Sequence, residues 1–388
     1  MKAVIIGAGI GGMSTAIALT RIGWEVEVYE QVVENKPVGA AISVWSNGVK
    51  VMNYLGLGEQ IAELGGRLEA MAYRWMDGRT MCDFSLEPVT LQTGQRPYPV
   101  ARAELQAMLM RAWGVEKIRF GMRMVDVVSE DDHASASFEN GEVATGDIVI
   151  AADGARSLAR DYVTELVVGR PLERRYAGYT NFNTLVDIDE AVGPADHWTT
   201  YIGEGKRVSV MPVAGNRFYT FFDVVQPAGL PYERSRAKDV LTEHFGHWAE
   251  PVRHLIGQLD PQMVNRVEIF DMDPFDTWVR GRVALLGDSA HNTTPDIGQG
   301  GCSAMEDAVV LAIALQTNTL GVQDALQRYA QARVERAGEL VLRARKRCDV
   351  THGADPAVTQ AWYDELWDED GTRVIAGIVG NIVGNPLG

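Results

Sequence analysis

KAVIIGAGIGG, at residues 2–12, joins a short apolar run to a glycine-rich turn. Gly7, Gly9 and Gly12 form the pattern G-x-G-x-x-G, which allows a tight turn, a close approach of pyrophosphate to the backbone, and contact between helix and strand. A helical pattern follows, and then a second strand-like run that ends at Glu30, where a carboxylate can accept hydrogen bonds from a ribose. The stretch predicts a nucleotide-binding βαβ unit, and the alternative is a tight turn without a ligand.

The composition limits the class of protein. The 388 residues allow two or three domains, and the net charge of −16 argues against a surface that binds nucleic acid or anionic lipid. Cys82, Cys302 and Cys348 are isolated, which argues against a metal knuckle or a disulfide scaffold. The N-terminus lacks a secretory signal pattern, and apolar runs such as 308–315 are shorter than the about 20 residues that span a membrane. We expect a reduced, cytoplasmic protein without a metal. The composition does not predict its oligomeric state.

The order of strand-like and helical patterns predicts an α/β fold. A mostly antiparallel sheet is predicted from strand-like runs at 179–188, 198–202, 207–212 and 217–224. We expect this sheet to be inserted into a Rossmann-like nucleotide-binding domain that is completed by C-terminal helices. The stretch from Asp364 onward has a helical pattern and a tail, and no chemistry is assigned to it. The predicted nucleotide-binding domain comprises residues 1–72, 98–172 and 268–388, and the predicted substrate-binding domain comprises residues 73–97 and 173–267.

Two further motifs identify the nucleotide. DGARSLAR at 153–160 matches D-G-x-x-S-x-x-R, and GDSAH at 287–291 is followed by PDIGQGG at 295–301. Together with the glycine pattern they resemble the motifs of the group A FAD-dependent aromatic monooxygenases, the para-hydroxybenzoate hydroxylase-like family. The resemblance spans nearly the whole chain and implies FAD as cofactor. Asp288 would accept hydrogen bonds from the ribityl chain, because open α/β sheets bind ligands beyond the carboxyl ends of their strands. His291 belongs to the motif without a catalytic role, and we interpret it as structural.

The resemblance also extends to individual cofactor contacts. Gly298 to Gly301 open a helix whose free amides would face the flavin. Arg102 matches the arginine that contacts the flavin in this family, and the alternative is a solvated residue in the first turn of a helix. The residues predicted to bind FAD are Gly7, Gly9, Gly11, Gly12, Glu30, Gln31, Ser43, Arg102, Met124, Asp153, Asp288, Gly298, Gln299, Gly300 and Gly301.

Six further stretches resemble one branch of this family, the bacterial FAD-dependent urate hydroxylases. They are residues 39–45, 175–179, 203–209, 294–302, 345–349 and 386–388. This resemblance implies hydroxylation of urate at C5 to 5-hydroxyisourate through a flavin C4a-hydroperoxide, with NADH and O2 consumed. One alternative is the hydroxylation of a phenolic acid, such as salicylate or hydroxybenzoate, on the same scaffold. A second alternative is a flavin-binding protein without turnover.

Three polar residues of the inserted sheet are predicted to bind urate. Arg207 offers a planar fork of donors and a fixed positive charge, which suit the carbonyl edge and delocalised charge of urate. We assign it a catalytic role, which is to favour the deprotonated substrate and to hold C5 in line. Tyr219 and Asn181 would add a hydroxyl and an amide. The alternatives are an ion pair at the sheet surface for Arg207, a core position for Tyr219 and a strand end for Asn181.

Overall fold

The computed structural model describes residues 1–34, 40–169, 171–317 and 319–388. Gly39, which begins one of the stretches quoted above, lies outside these residues. One sheet has six strands and another has seven, and two smaller sheets have three and two strands. No helix of the described ranges combines the length and apolar character needed to cross a membrane.

The secondary-structure elements are numbered here in chain order. The strands are β1 (Lys2–Ile6), β2 (Glu25–Glu30), β3 (Ala41–Val44), β4 (Ala70–Trp75), β5 (Thr80–Ser85), β6 (Tyr98–Ala101), β7 (Ile118–Phe120), β8 (Met124–Ser129), β9 (Ala134–Phe138), β10 (Val143–Gly146), β11 (Ile148–Ala151), β12 (Arg174–Asp187), β13 (His197–Gly203), β14 (Lys206–Val213), β15 (Arg217–Val225), β16 (Asn265–Met272), β17 (Val279–Arg280) and β18 (Val283–Leu285). The helices are α1 (Ile10–Arg21), α2 (Ser46–Tyr54), α3 (Gly58–Leu64), α4 (Glu87–Thr93), α5 (Arg102–Trp113), α6 (Leu158–Val168), α7 (Ala237–Phe245), α8 (Glu250–Gln258), α9 (Asp288–His291), α10 (Gly300–Thr317), α11 (Val322–Thr351), α12 (Pro356–Trp367) and α13 (Thr372–Ile382).

The six-stranded sheet has the order β17-β18-β11-β1-β2-β7, and its neighbours are parallel except for the β17–β18 pair. The strands β1, β11 and β18 are apolar and fully buried or nearly so, as expected for parallel strands covered on both faces. Their carboxyl ends lead into the glycine pattern, the 153–160 motif and the 287–291 motif. The parallel sheet therefore brings three motifs that are distant in sequence to one edge.

The turn after β1 requires glycine at two positions. Gly7 has a φ of +103°, and a Cβ there would lie 2.3 Å from the carbonyl oxygen of Ala152. A Cβ at Gly12 would lie 1.9 Å from the carbonyl oxygen of Gly7. Gly9 differs, because a Cβ there would meet nothing within 4 Å. The first and third glycines thus close the turn, while the second leaves space beside the backbone.

The seven-stranded sheet has the order β16-β12-β15-β14-β13-β4-β5, and only its β13–β4 pair is parallel. Side chains alternate along a strand, so each face receives every second residue. Val208 and Val210 of β14 belong to a buried apolar cluster with Leu241 and Phe245 of α7. The intervening residues of β14 lie on the opposite face. One face is therefore core, and the other is free to form a site.

The observed strands agree with the predicted mostly antiparallel sheet, and its parallel pair comes from β4. The domain boundaries predicted after residue 72 and after residue 267 fall inside β4 and β16. The predicted boundaries follow changes in amino-acid composition, which here occur within strands, whereas each strand belongs as a whole to one sheet. We propose that the substrate-binding part consists of two segments, one that begins at Ala70 and one that ends at Met272, and that the chain between them, which includes β11 of the parallel sheet, belongs to the nucleotide-binding part. The stretch from Asp364 onward contains the end of α12 and all of α13.

Candidate active site

A cavity of about 410 Å³ is lined both by residues that follow strands of the six-stranded sheet and by residues of the seven-stranded sheet. From the parallel sheet it is lined by Gly9, Gly11, Gly12 and Asp288, and from the turn into α10 by Gly298, Gly300 and Gly301. Ser43 and Arg102 line it as well, and Arg102 is the first residue of α5. Asn181, Arg207 and Tyr219 complete it from the seven-stranded sheet. One cavity thus contains most of the predicted FAD contacts and all three predicted substrate contacts.

The cavity edge suits a flavin nucleotide. The open space beside Gly9 would be filled by any side chain, and Gly298 has a φ of +65° with a Cβ position only 2.8 Å from Nε1 of Trp45. That indole N–H is buried and has no hydrogen-bond partner among the described residues. Trp45 lines a second cavity, described below, so this donor is not assigned to the nucleotide, and the fit rests on the open space beside Gly9. We conclude that the residues present fit FAD.

Several residues predicted to bind the cofactor lie outside the lining of this cavity. The carboxylate of Glu30 accepts hydrogen bonds from the backbone N–H of Ala8 at 2.8 Å and of Val32 at 3.0 Å. Gln31 accepts one from Arg123 at 3.0 Å, and Met124 is buried at the start of β8. Gly7 forms the turn behind the cavity. Their flavin contacts remain predictions, and for Glu30 one side of the carboxylate already fixes the glycine turn.

Asp153 and Gln299 occupy positions of different character. One oxygen of Asp153 accepts from the backbone N–H of Leu158 at 3.0 Å, at the start of α6, while the other is buried without a partner among the described residues. Burial raises the pKa of Asp153. Gln299 accepts a hydrogen bond from Asn47 at 2.9 Å and lines a second cavity, described below.

Arg207 lies in a cluster of buried charge. Its Nε donates to Asp223 at 2.7 Å, and its Nη2 lies 2.6 Å from Asp223 and 3.1 Å from Asp296. The Arg207 side chain is 11% exposed, and both carboxylates are fully buried. Nη1 makes no hydrogen bond to the residues that the structure describes. The ion pair considered as the alternative role is therefore present, yet it lies inside a cavity and not on an exposed strand face.

The charges of this cluster stabilise one another. Burial alone would lower the pKa of the Arg207 guanidinium, but Asp223 and Asp296 outweigh burial and raise that pKa above its usual value. Burial alone would raise the pKa of Asp296, and Arg207 together with His352 holds it well below its usual range. Arg207 is therefore positively charged. The two carboxylates stabilise this charge and hold the guanidinium in position.

Asn181 and Tyr219 reach the same cavity in different ways. Asn181 donates from Nδ2 to Asp223 at 2.7 Å and accepts from Asn183 at 2.6 Å, which fixes its amide orientation. Tyr219 packs against Phe221, and its hydroxyl makes no hydrogen bond to the described residues. Met211 pairs with Tyr219 and Arg207 pairs with Asp223 across β14 and β15, so these side chains share a face. The sequence alone did not give this register.

Three residues of the cluster were missed from sequence. Asp223 lies directly opposite Arg207, and only strand register reveals that pairing. Asp296 lies within the quoted 295–301 stretch, so its motif was available as a signal. His352 lies beyond the end of α11, and its ring stacks on Tyr179 with centroids 3.9 Å apart. Nε2 of His352 lies 3.5 Å from Asp296 and 3.7 Å from Asp223.

Asp296, Cys348 and His352 place their ligand atoms within 4.8 Å of one another. The guanidinium of Arg207 already binds Asp296, however, and a second cation would be repelled there. This group is best described as part of the arginine cluster. His291, interpreted as structural from sequence, contacts Asp307 at 2.6 Å in a separate buried cluster.

Comparison with known proteins gives the family. Residues 1–344 match the family described as FAD binding domain. A FAD-dependent urate hydroxylase from Mycolicibacterium vanbaalenii is 62% identical over 392 residues, which cover 100% of this chain and 98% of that protein. A protein of the same description from Klebsiella pneumoniae is 53% identical, with full coverage of both chains.

This chain belongs to the FAD-dependent urate hydroxylase family. The crystal structure of Klebsiella pneumoniae HpxO complexed with FAD and uric acid has a TM-score of 0.96 and 51% identity, covering 100% of this chain and 98% of that chain. A structure of an arginine-to-glutamine variant of HpxO complexed with FAD gives the same TM-score and identity. The α/β fold, FAD as cofactor and the flavin monooxygenase class predicted from sequence are confirmed for this urate hydroxylase family member.

Proposed function

We propose that this protein hydroxylates urate at C5 to give 5-hydroxyisourate. The balanced reaction is urate, O2, NADH and a proton giving 5-hydroxyisourate, NAD⁺ and water. The observation that supports it best is the single cavity in which a flavin cradle meets Arg207, Asn181 and Tyr219. The edges of urate offer both donors and acceptors, which could bind Nη1 of Arg207 and the hydroxyl of Tyr219, the groups that make no hydrogen bond to the described residues.

The residues that would hold FAD lie on the parallel-sheet side of the cavity. Gly9, Gly11 and Gly12 would face the pyrophosphate, Asp288 the ribityl hydroxyls, and Gly300 and Gly301 the flavin ring through backbone amides at the start of α10. When bound, FAD accepts a hydride from NADH and supplies the activated oxygen. The protein provides binding, orientation and charge.

Arg207 would orient urate and stabilise its negative charge. Two carboxylates fix the guanidinium, which leaves Nη1 available to a urate carbonyl. Because Asp223 and Asp296 already compensate its charge, we propose that the direction of its N–H donors matters more than the net charge of the cluster. Tyr219 and Asn181 would add donors on the same face, so that C5 is held at one position relative to the flavin.

The test is Arg207→Gln in the FAD-loaded protein. Reduction of the flavin by NADH should continue at a rate within about threefold of the wild type, while formation of 5-hydroxyisourate falls by about a hundredfold or more, since a single oriented donor can contribute 10²–10³-fold. Stopped-flow absorbance measures reduction, and product and peroxide per NADH measure coupling. Arg217→Gln is the matched control, because Arg217 pairs with Glu104 and lines neither cavity. One urate consumed per NADH in Arg207→Gln, without excess peroxide, would contradict the proposal.

We also propose that the reaction takes place in the cytoplasm. Its support is the chemistry of the chain: the reductant is NADH, and Cys82, Cys302 and Cys348 are all buried free thiols.

A further inference from the structure

A second cavity, of about 620 Å³, lies between the helices α11, α12 and α13 and the face of the seven-stranded sheet that carries Arg207. It shares Trp198, Arg207, Phe221 and Asp296 with the first cavity. Gly9, Gly12 and Asp288 line the first cavity and not the second. The second cavity therefore adjoins the arginine cluster without including these cradle residues, and it is lined in part by α12 and α13, helices to which the sequence assigned no chemistry.

The inner part of this cavity is aromatic and polar. Trp45 and Trp198 stack with ring centroids 6.3 Å apart, and both line the cavity. Trp198 donates from Nε1 to Ser209 at 2.6 Å, whereas Nε1 of Trp45 has no partner among the described residues, although Trp45 is 3% exposed. Flat faces next to a fixed N–H donor suit a planar ligand with carbonyl edges.

The outer part of the cavity is basic. Arg343 pairs with Glu339 at 3.0 Å, and Arg373 lies 2.8 Å from Glu369 and 3.9 Å from Glu365, so the charges of these arginines are compensated. Two further cations, Lys346 and Arg347, make no ion pair with the carboxylates of the described ranges.

Arg347 is held without a counter-ion. Its guanidinium lies 4.2 Å from the ring centroid of Trp362 and donates to the hydroxyl of Tyr73 at 3.3 Å. Lys346 is exposed beside it on α11. In a chain with a net charge of −16, two uncompensated cations at one cavity mouth form a local anion-attracting patch. Both belong to the stretch 345–349, whose role was not explained by the catalytic site.

We propose that Lys346, Arg347 and Trp362 form an outer subsite that captures the urate anion before it reaches Arg207. This inference rests on the proposed function. A flat monoanion matches one aromatic face and a small cationic patch. A dinucleotide is a poorer match, because the glycine-rich amides and the helix N-terminus that bind its phosphates elsewhere in the fold do not line this cavity. Urate entering here would meet Trp198, Arg207 and Phe221 at the inner end.

The test is the double variant Lys346→Gln with Arg347→Gln in the FAD-loaded protein. We expect kcat/KM for urate to fall about five- to tenfold at low ionic strength, and the difference from wild type to shrink as salt is added. The kcat at saturating urate and the KM for NADH should not change. Titration of the bound flavin's absorbance with urate, without NADH, should give a Kd that rises by a similar factor.

Two further variants keep the interpretation specific. Lys346→Arg with Arg347→Lys preserves both charges and should restore most of the affinity. Lys238→Gln with Arg253→Gln removes the same charge from α7 and α8, outside both cavities, and should behave as wild type. An unchanged kcat/KM for urate in the Lys346→Gln, Arg347→Gln variant would overturn the proposal. An equal loss of kcat/KM in the Lys238→Gln, Arg253→Gln variant would overturn it as well. A raised KM for NADH with unchanged urate kinetics would overturn it in favour of a dinucleotide site. Failure of the proposed function would give a different result, namely a wild-type protein without urate-dependent NADH oxidation. Titration of the bound flavin's absorbance with urate would still test the subsite in that case.

Discussion

Two buried arginines of this molecule have similar partners and different surroundings. Arg333 on α11 donates from Nε to Asp307 and from Nη1 to Glu306, each at 2.7 Å, and from Nη2 to Ser303 at 3.0 Å. Its side chain is 1% exposed, and it lines neither cavity. Arg207 also lies between two buried carboxylates, but it lines both cavities and keeps one terminal nitrogen without a described partner. An arginine between acids is structural when its donors are all satisfied by protein, and it is available to a ligand when a cavity adjoins it.

The free energy of unfolding should distinguish the two clusters most strongly. Arg333→Gln leaves Glu306 and Asp307 buried with reduced compensation, and removal of one partner from a buried charge pair costs about 3–5 kcal/mol. Arg207→Gln should cost about half as much or less, because Asp296 lines both cavities and water can reach it there. Urea unfolding of the FAD-loaded variants measures both.

Arg333→Lys serves as the control, since it keeps the charge and loses the planar fork. It should fall between the wild type and Arg333→Gln. Equal losses for Arg207→Gln and Arg333→Gln would show that the cavities do not stabilise the carboxylates left unpaired by Arg207→Gln, and the distinction between the clusters would fail.

The same comparison shows how much the sequence could predict. The six-stranded parallel sheet follows from local signals, because the glycine pattern, the 153–160 motif and the 287–291 motif each lie at a strand end. The residues Asn181, Arg207 and Tyr219 were selected through resemblance, and their convergence in one cavity depends on strand register. Asp223 and His352 depend on pairings of residues distant in sequence, which no local pattern contains. The position of α12 and α13 beside the second cavity could not be predicted either, because it also depends on contacts between residues distant in sequence.

Acid should lower the free energy of unfolding in a defined pH window through the buried cluster of His291, Asp307 and Arg333. Burial alone would raise the pKa of Asp307, but His291 and Arg333 outweigh burial and lower it to about 2. An unfolded aspartate has a pKa of about 3.9, so the folded state is favoured at pH values above about 4 and loses this contribution as the pH falls toward 2. The loss amounts to about 2 kcal/mol from Asp307.

Urea unfolding at pH 5, 4 and 3 measures this dependence. Asp307→Asn should flatten the curve below pH 4, whereas Asp132→Asn should not change it, because Asp132 pairs with His133 at the exposed surface. A wild-type curve without slope between pH 4 and pH 3 would contradict the assignment of a lowered pKa to Asp307.

Two tyrosine hydroxyls give the smallest and most direct comparison. The hydroxyl of Tyr329 donates to the carbonyl of Leu285 at 2.9 Å in the helical region, whereas the hydroxyl of Tyr219 makes no hydrogen bond to the described residues and lines the first cavity. Tyr329→Phe should therefore lower the free energy of unfolding by about 1 kcal/mol and leave the KM for urate unchanged. Tyr219→Phe should do the reverse, with stability within about 0.5 kcal/mol of wild type and a several-fold higher KM for urate, because a neutral hydrogen bond contributes about 0.5–1.5 kcal/mol. If Tyr219→Phe lost stability and kept its KM, the hydroxyl would belong to the fold and not to the substrate site.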